Sequence, residues 1–327
     1  MARKRYRFDQ TQHTESVSTM KRRDFIKSGL GAGIVAGSLL PGARIGAAGA
    51  TVEKKNENVS YDLIAVRGGE PDLMFDKGIS ALGGMQKFVK PGQTVLVKPN
   101  IGWDSGPERA ANTHPVLVKR VIEHCYKAGA KKVFVFDHTC DEWSRCYKNS
   151  GIQRAVEEAG GTMLPGNSAD YYRDVEIPDG KVMRQAAVHR QILDSDVVIN
   201  VPVLKSHSGA ALTIGMKNLM GVVWDRRYWH ANDLHQCIAD FATFCKPQLN
   251  IVDAYNVMMR NGPRGVSTAD VSKKQYLIMS PDIVAADAAA AKIFGLQPEE
   301  VPYIRIADKM GVGKMDLSGL AINRISV

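Results

Sequence analysis

From Tyr61 onward the chain alternates short, unbroken apolar runs with longer stretches of helical periodicity. Residues 63–66, 94–97, 132–136, 196–203, 249–252 and 276–279 are runs of strand length. Between them, residues 72–88, 115–129, 151–159, 234–245 and 283–294 repeat their apolar positions at helical spacing. The clearest helix starts at Pro115, which suits a first turn, and stops at Gly129, with Val118, Val121, Ile122 and Cys125 along one face. Leu234, Ile238, Phe241 and Cys245 form a second stripe, with Asn232 as the expected cap and Pro247 beyond the end. Residues 175–183 predict a hairpin turned at Pro178-Asp179-Gly180. Strands without polar alternation are buried on both faces. The expected fold is therefore α/β: a mainly parallel sheet with helices on both faces, in one lobe or two, plus a β-hairpin insertion.

In such sheets ligands bind outside the carboxyl ends of the strands. Four runs end in polar residues there: Lys98-Pro99-Asn100, Asp137-His138-Thr139, Lys205-Ser206-His207 and Asp253. Residues two apart share a side of an extended chain, which pairs Lys98 with Asn100 and Lys205 with His207. Two lysines on one rim make a positive pocket suited to a carboxylate or phosphate. Asp137 and Asp253 are candidates to orient those lysines, hold a divalent metal or act as bases. His207 is a candidate acid or base, with His114 at a helix start beside the same rim.

The segment Gly215-Met216-Lys217-Asn218-Leu219-Met220-Gly221 offers close backbone approach, a charge and an amide. It lacks the order of a nucleotide-binding Walker loop. The run 224–230, with Arg226 and Arg227 between Trp224 and Trp229, fits either a lid carrying an anion clamp or a surface loop anchored by its tryptophans. His230 and His235 are five apart, not the four of a helical metal pair, so His230 is only a weak candidate metal ligand.

Composition bears mostly on the address. The chain has 327 residues and a net charge of +9, but nine of its 43 basic residues and only three of its 34 acidic ones precede position 51, leaving the rest at +3. That balance gives no warrant for a nucleic-acid partner. Residues 1–50 carry a basic stretch around Arg22-Arg23-Asp24-Phe25, a weakly apolar Gly/Ala-rich stretch to Leu40, and Ala48-Gly49-Ala50 as a cleavage pattern. This resembles a twin-arginine export signal and implies the translocase as a transient partner, a periplasmic or other extracytoplasmic location, and no stable membrane span after cleavage. Met20 sits where such signals begin, so residues 1–19 read as upstream of the true start; 51–60 read as a linker and 61–327 as the α/β domain. The five cysteines form no Cys-x-x-Cys pair, so iron–sulfur ligands are missing. Cys140 and Cys146 are close enough in sequence to bridge.

Taken together, the motifs around Lys98-Pro99-Asn100, Thr113-His114-Pro115, Asn200 to His207, Gly215 to Gly221, Gly262-Pro263-Arg264-Gly265 and Ile283 to Asp287 resemble the family of domain of unknown function 362. The resemblance runs from about residue 61 to 296. Many relatives carry ferredoxin-type segments that this chain lacks. A distant similarity to the nickel-pincer lactate racemase group is an analogy of frame only. The leading expectation is an exported enzyme for a small anionic molecule, held by Lys98, Asn100, Lys205, Lys217, Asn218, Arg226 and Arg227, with His207, His114 and Asp137 moving protons and Asp253 and His230 as metal candidates. Two rivals stand beside it: a cell-envelope binding protein for a ligand or metal, and a redox protein without its relatives' cluster.

Overall fold

Successive residues of the central strands face opposite helical layers, which is why their runs are apolar without a break. Leu96, Phe136, Val198 and Val252 belong to one core, while Val95, Val97, Ile199 and Ile251 belong to the other. The computed structural model describes residues 60–327. Its strands are β1 (Leu63–Arg67), β2 (Thr94–Pro99), β3 (Lys132–Val135), β4 (Thr162–Met163), β5 (Tyr172–Glu176), β6 (Gln185–His189), β7 (Val197–Val201), β8 (Val203–His207), β9 (Ala211–Thr213), β10 (Leu249–Met258), β11 (Val271–Ser280) and β12 (Ile322–Ser326).

The main sheet has the order β12-β1-β11-β10-β7-β2-β3-β4, with β8 against β10 and β9 against β8. From β10 across β7 and β2 to β3 and β4 every pairing is parallel. β11 runs antiparallel to both β10 and β1. Helices Pro71–Ala81, Pro115–Lys127 and Ile152–Glu158 cover one face. Helices Leu234–Phe244, Ile283–Phe294 and Pro302–Lys309 cover the other. None of the helices among the described residues is long and apolar enough to cross a membrane.

The structure differs from the sequence expectations where a tertiary contact decides. The run 196–203 is two strands, because Pro202 interrupts it and β8 then follows β10 instead of β2. The run 249–252 is only the first part of β10, which continues to Met258. The helix expected over 72–88 stops at Ala81; Gly83 and Gly84 take positive φ, and a single tight turn, Met85–Lys87, follows. The hairpin is wider than 175–183: β5 and β6 pair from Tyr172–His189 to Glu176–Gln185, with Pro178-Asp179-Gly180 inside the connection. Asp233, not Asn232, caps the helix at Leu234, its carboxylate accepting from the Gln236 N–H at 3.1 Å. Helices Trp143–Asn149 and Pro302–Lys309 and strand β12 had no expectation behind them. All five cysteines are free, Cys140 exposed and Cys146 buried, so that pair does not bridge. The twin-arginine signal and nearly all of the linker lie outside the described residues.

Leu96 is fully buried at the centre of the sheet, beneath the rim. Leu96→Ala is expected to cost about 2–5 kcal/mol, read as a lower urea midpoint with an unchanged far-ultraviolet spectrum. A loss under about 1 kcal/mol would mean the centre of the sheet is loosely packed.

Candidate functional site

Even-numbered positions of β2, β7 and β10 face the same helical layer, so Lys98, Asn200 and Asn250 share a side of the sheet with Leu96, Val198 and Val252. All three polar residues are 0% exposed, and burial at that level demands partners. An amide chain supplies them. Asn100 donates to Asn218 Oδ1 at 2.9 Å, Asn218 to Asn200 Oδ1 at 2.9 Å, and Asn200 to Asn250 Oδ1 at 3.1 Å. Asn200 also donates to the Gly215 carbonyl, and Asn218 to that of Lys98. The short helix Gly215–Asn218 is thereby tied to three strands. Asp287, wholly buried on helix Ile283–Phe294, accepts from the Gly215 and Met216 N–H groups at 2.6 and 3.0 Å. Burial pushes its carboxyl up to about 7 against the pull of those two donors.

Lys98 forms an ion pair with Asp137 at 2.9 Å and also donates to the Pro99 carbonyl. The second oxygen of Asp137 accepts from the Ile101 N–H at 2.6 Å. Both groups are almost water-free, so each charge depends on the other. Gly221 closes over them: a Cβ there would lie 1.9 Å from Asp137 Oδ1 and 2.9 Å from Lys98 Nζ.

Above this pair opens a cavity of about 1230 Å3. Asn100, Asp137, Lys205, His207, Lys217, Asn218, Arg226, Arg227 and His230 all line it. Lys205 donates to Asn100 Oδ1 at 3.2 Å and to the Ala111 carbonyl. Lys217 has only the Met220 sulfur, at 3.2 Å, and no oxygen among the described residues accepts from it. Burial lowers Lys205 to about 7, with the Lys217 charge adding to the effect, and burial lowers Lys217 to about 8, with Arg226 adding. Among the described residues only two carboxylates, Asp137 and Asp225, line the cavity. Asp137 is spent on Lys98, and Asp225 caps helix Arg226–Ala231 by accepting from the Tyr228 N–H. The cavity thus carries more cation than anion.

Two histidines on the wall have tautomers set by their partners. His207 Nδ1 accepts from the Gly209 and Ala210 N–H groups, both at 3.1 Å, so the proton sits on Nε2 and the ring is a donor toward any ligand. Burial and the charges of Lys217 and Lys205 lower its pKa to about 3. His138 is the opposite case. Its Nδ1 lies 2.9 Å from the Val223 carbonyl, which can only accept, so Nδ1 carries the proton and Nε2 keeps a lone pair. Trp224 stacks on that ring at 5.0 Å, and burial lowers its pKa.

The run 224–230 supplies part of the wall, with Arg226 and Trp229 tied to the body. Arg226 donates to the carbonyls of His138 and Thr139 at 2.9 and 2.7 Å, and Trp229 is fully buried against Phe241. His230 stands 6.4 Å from the His207 ring.

Two expected members lie elsewhere. Asp253 falls at an odd position inside β10, on the opposite face of the sheet from Lys98, because the strand runs on past it. Its oxygens accept from the His114 and Tyr255 N–H groups at 2.8 and 3.0 Å. His114 follows it there: its ring packs edge-on to Tyr255 at 5.5 Å, caps nothing and does not line the cavity. Asp253 and His230 therefore cannot share one ion, and no cluster of three or more His, Cys, Asp or Glu suited to a metal occurs among the described residues. Sequence reasoning gave no role at the site to His138, Cys140, Thr213 or Asn250, whereas the close backbone approach expected at Gly221 is found. His138 carried a usable signal, being the residue after Asp137 at a strand end. Asn250 carried one in its even parity with Val252.

A family model described as "Domain of unknown function (DUF362)" matches residues 95–292. A thylakoid-associated protein of Synechocystis sp. is 32% identical over 248 residues, covering 72% of this chain and 73% of that protein. Among solved structures, a Thermotoga maritima protein aligns with a TM-score of 0.44 at 12% identity, covering 74% of this chain and 60% of that one. The lactate racemase apoprotein of Thermoanaerobacterium thermosaccharolyticum aligns with 0.45 at 10%, covering 67% and 54%. The chain spans less than two thirds of either structure, and likenesses this distant fix neither an activity nor a ligand.

Gly221→Ala is expected to break the Lys98–Asp137 pair and cost about 3–5 kcal/mol, whereas Gly319→Ala, where a Cβ meets nothing within 4 Å, leaves the melting temperature unchanged. Equal stability of the two variants would show that the ion pair can move aside. For His207, the folded pKa lies below the ordinary 6.5, so the stability it lends is full above pH 6.5 and fades as pH falls toward 3. Nitrogen-15 shifts at pH 5 are expected to show a neutral His207 ring protonated on Nε2; an imidazolium at that pH would contradict this.

Proposed function

The chain belongs to the DUF362 family, and from that premise we propose that it is an enzyme acting on a small organic anion, a carboxylate or phosphate, bound in the cavity above Lys98. The observation that carries this is Lys217: a lysine 8% exposed, lining the cavity, with no oxygen acceptor among the described residues. A buried ammonium is costly unless a counter-charge meets it. The exposed Arg227 adds positive charge on the same wall. An anion bound there receives charge-assisted hydrogen bonds from Lys217 and a neutral donor in His207 Nε2. His138 Nε2 is the lone pair available to accept a proton from it. Asp137 and Lys98 hold the floor in place and do not exchange protons with the ligand. The volume exceeds the 300–1000 Å3 or so of common small-ligand sites, and Trp103 and Trp224 line it, so the ligand pairs an anionic head with an apolar body.

Export by the twin-arginine route is part of the same proposal and rests on the sequence pattern at Arg22 and Arg23. Replacing both with Lys is expected to leave the full-length chain in the cytoplasm, seen by fractionation; normal export of that variant would remove this part. For the site, phosphate and oxalate are expected to raise the melting temperature of the wild-type protein in a saturable way. Lys217→Met is expected to lose about 1.5–3 kcal/mol of that binding, or about tenfold to a hundredfold in Kd by calorimetry. Unchanged anion affinity in a folded Lys217→Met protein would contradict the proposal.

A further inference from the structure

Lys205 and Lys217 share a cavity but differ in one respect that sets their chemistry. A neutral amine has two N–H groups and one lone pair. Lys205 is supplied with two acceptors, Asn100 Oδ1 and the Ala111 carbonyl. Asn100 is oriented for this by its own donation to Asn218, which turns its oxygen toward Lys205. Both hydrogens of a neutral Lys205 are therefore taken, and the remaining position on Nζ, the lone pair, has no protein partner. Lys205 is 1% exposed and lines the cavity, so its amine is nearly desolvated at the edge of the space a ligand would fill. Lys217, with only a thioether to accept from it, is the member that benefits from an anion. A desolvated lysine beside a second cation is the setting in which an amine becomes a nucleophile at neutral pH.

We propose that Lys205 is a covalent nucleophile that forms an imine with the carbonyl carbon of a 2-oxo acid or aldehyde acid, whose carboxylate rests on Lys217. This rests on the anion reading above and names its substrate class. In the step, the Nζ lone pair bonds to the carbonyl carbon and the carbonyl π electrons move to oxygen. The carbon–oxygen bond then breaks, and the oxygen leaves as water with the two amine hydrogens. No oxidant, reductant or cofactor enters the balance. His207 Nε2–H is a donor on the same wall for the developing oxyanion. The charged and titratable groups facing Lys205 are Lys217, Cys140, Asp137 and Lys98, with His207 two residues away on β8. Burial is the largest influence and lowers the amine; Cys140 comes next and raises it, Lys217 follows and lowers it, and the net is about 7.

The test uses the full chain, glyoxylate as probe and cyanoborohydride, which fixes an imine by adding hydride to carbon. Peptide mass mapping is expected to find a carboxymethyl group on Lys205 in far greater yield than on any surface lysine. The labelling rate is expected to be half-maximal near pH 7, and Lys205→Arg is expected to abolish the modification at that peptide. Glycolate, which has the carboxylate but no carbonyl, separates the two readings. If glycolate stabilises the protein and slows labelling, both stand. If glycolate stabilises it and Lys205 stays unmodified, the imine is overturned and the anion site survives. If neither compound stabilises the protein and the label scatters over surface lysines, both fall.

Discussion

Lys98 carries a charge where water does not reach, and the rim is arranged around neutralising it. The lysine emerges from the end of a parallel strand, Asp137 from the end of its neighbour, and the two meet at 2.9 Å beneath Gly221. Removing either partner would leave a buried, unpaired charge. The pair therefore fixes how β2 and β3 end relative to each other, and it fixes the passage of the Gly215–Gly221 segment over them. The amide chain through Asn100, Asn218, Asn200 and Asn250 extends the same constraint to β7 and β10. Such a network is favourable only when every member is satisfied, so it specifies one arrangement of the strand ends.

With the floor neutral, the cations above it are left over. Lys217 meets only a thioether, and Lys205 has acceptors for a neutral amine but no carboxylate. Both are lowered toward neutral pH, first by burial. The two histidines divide their roles by hydrogen bonding, His207 as donor and His138 as acceptor, without either needing a charge. A structure that only needed stability would gain by replacing these groups with apolar ones. Keeping uncompensated, desolvated amines in an open cavity is what a site for an anion requires.

Much of this frame follows from periodicity. Unbroken apolar strands require two helical layers, and parallel strands put Lys98, Asp137 and Lys205 at one edge. Parity within a strand separates Asp253 from Lys98: the residue count from Val252 already turns Asp253 to the far face, once β10 is known to continue to Met258. That continuation was hidden because Ala254, Tyr255 and Asn256 are not a uniformly apolar run. The break at Pro202 sends β8 along β10, and only that tertiary choice brings Lys205 over Asn100. The commitment of His207 Nδ1 to two backbone amides likewise depends on a turn three residues long, which no spacing rule displays. Asp287 sits 72 positions from the Gly215 N–H it accepts from, and its role is invisible until helix Ile283–Phe294 is packed.

The central claim is that Lys217 is a cation held open for an external anion. A crystal structure grown with selenate, read by the anomalous signal of selenium, tests it most directly. The account predicts a peak within hydrogen-bond distance of Lys217 Nζ, with the His207 ring turned toward it and the Lys98–Asp137 pair undisturbed. Selenium density confined to the outer surface, with Lys217 swung onto Asp225 or another carboxylate of the protein, would contradict it.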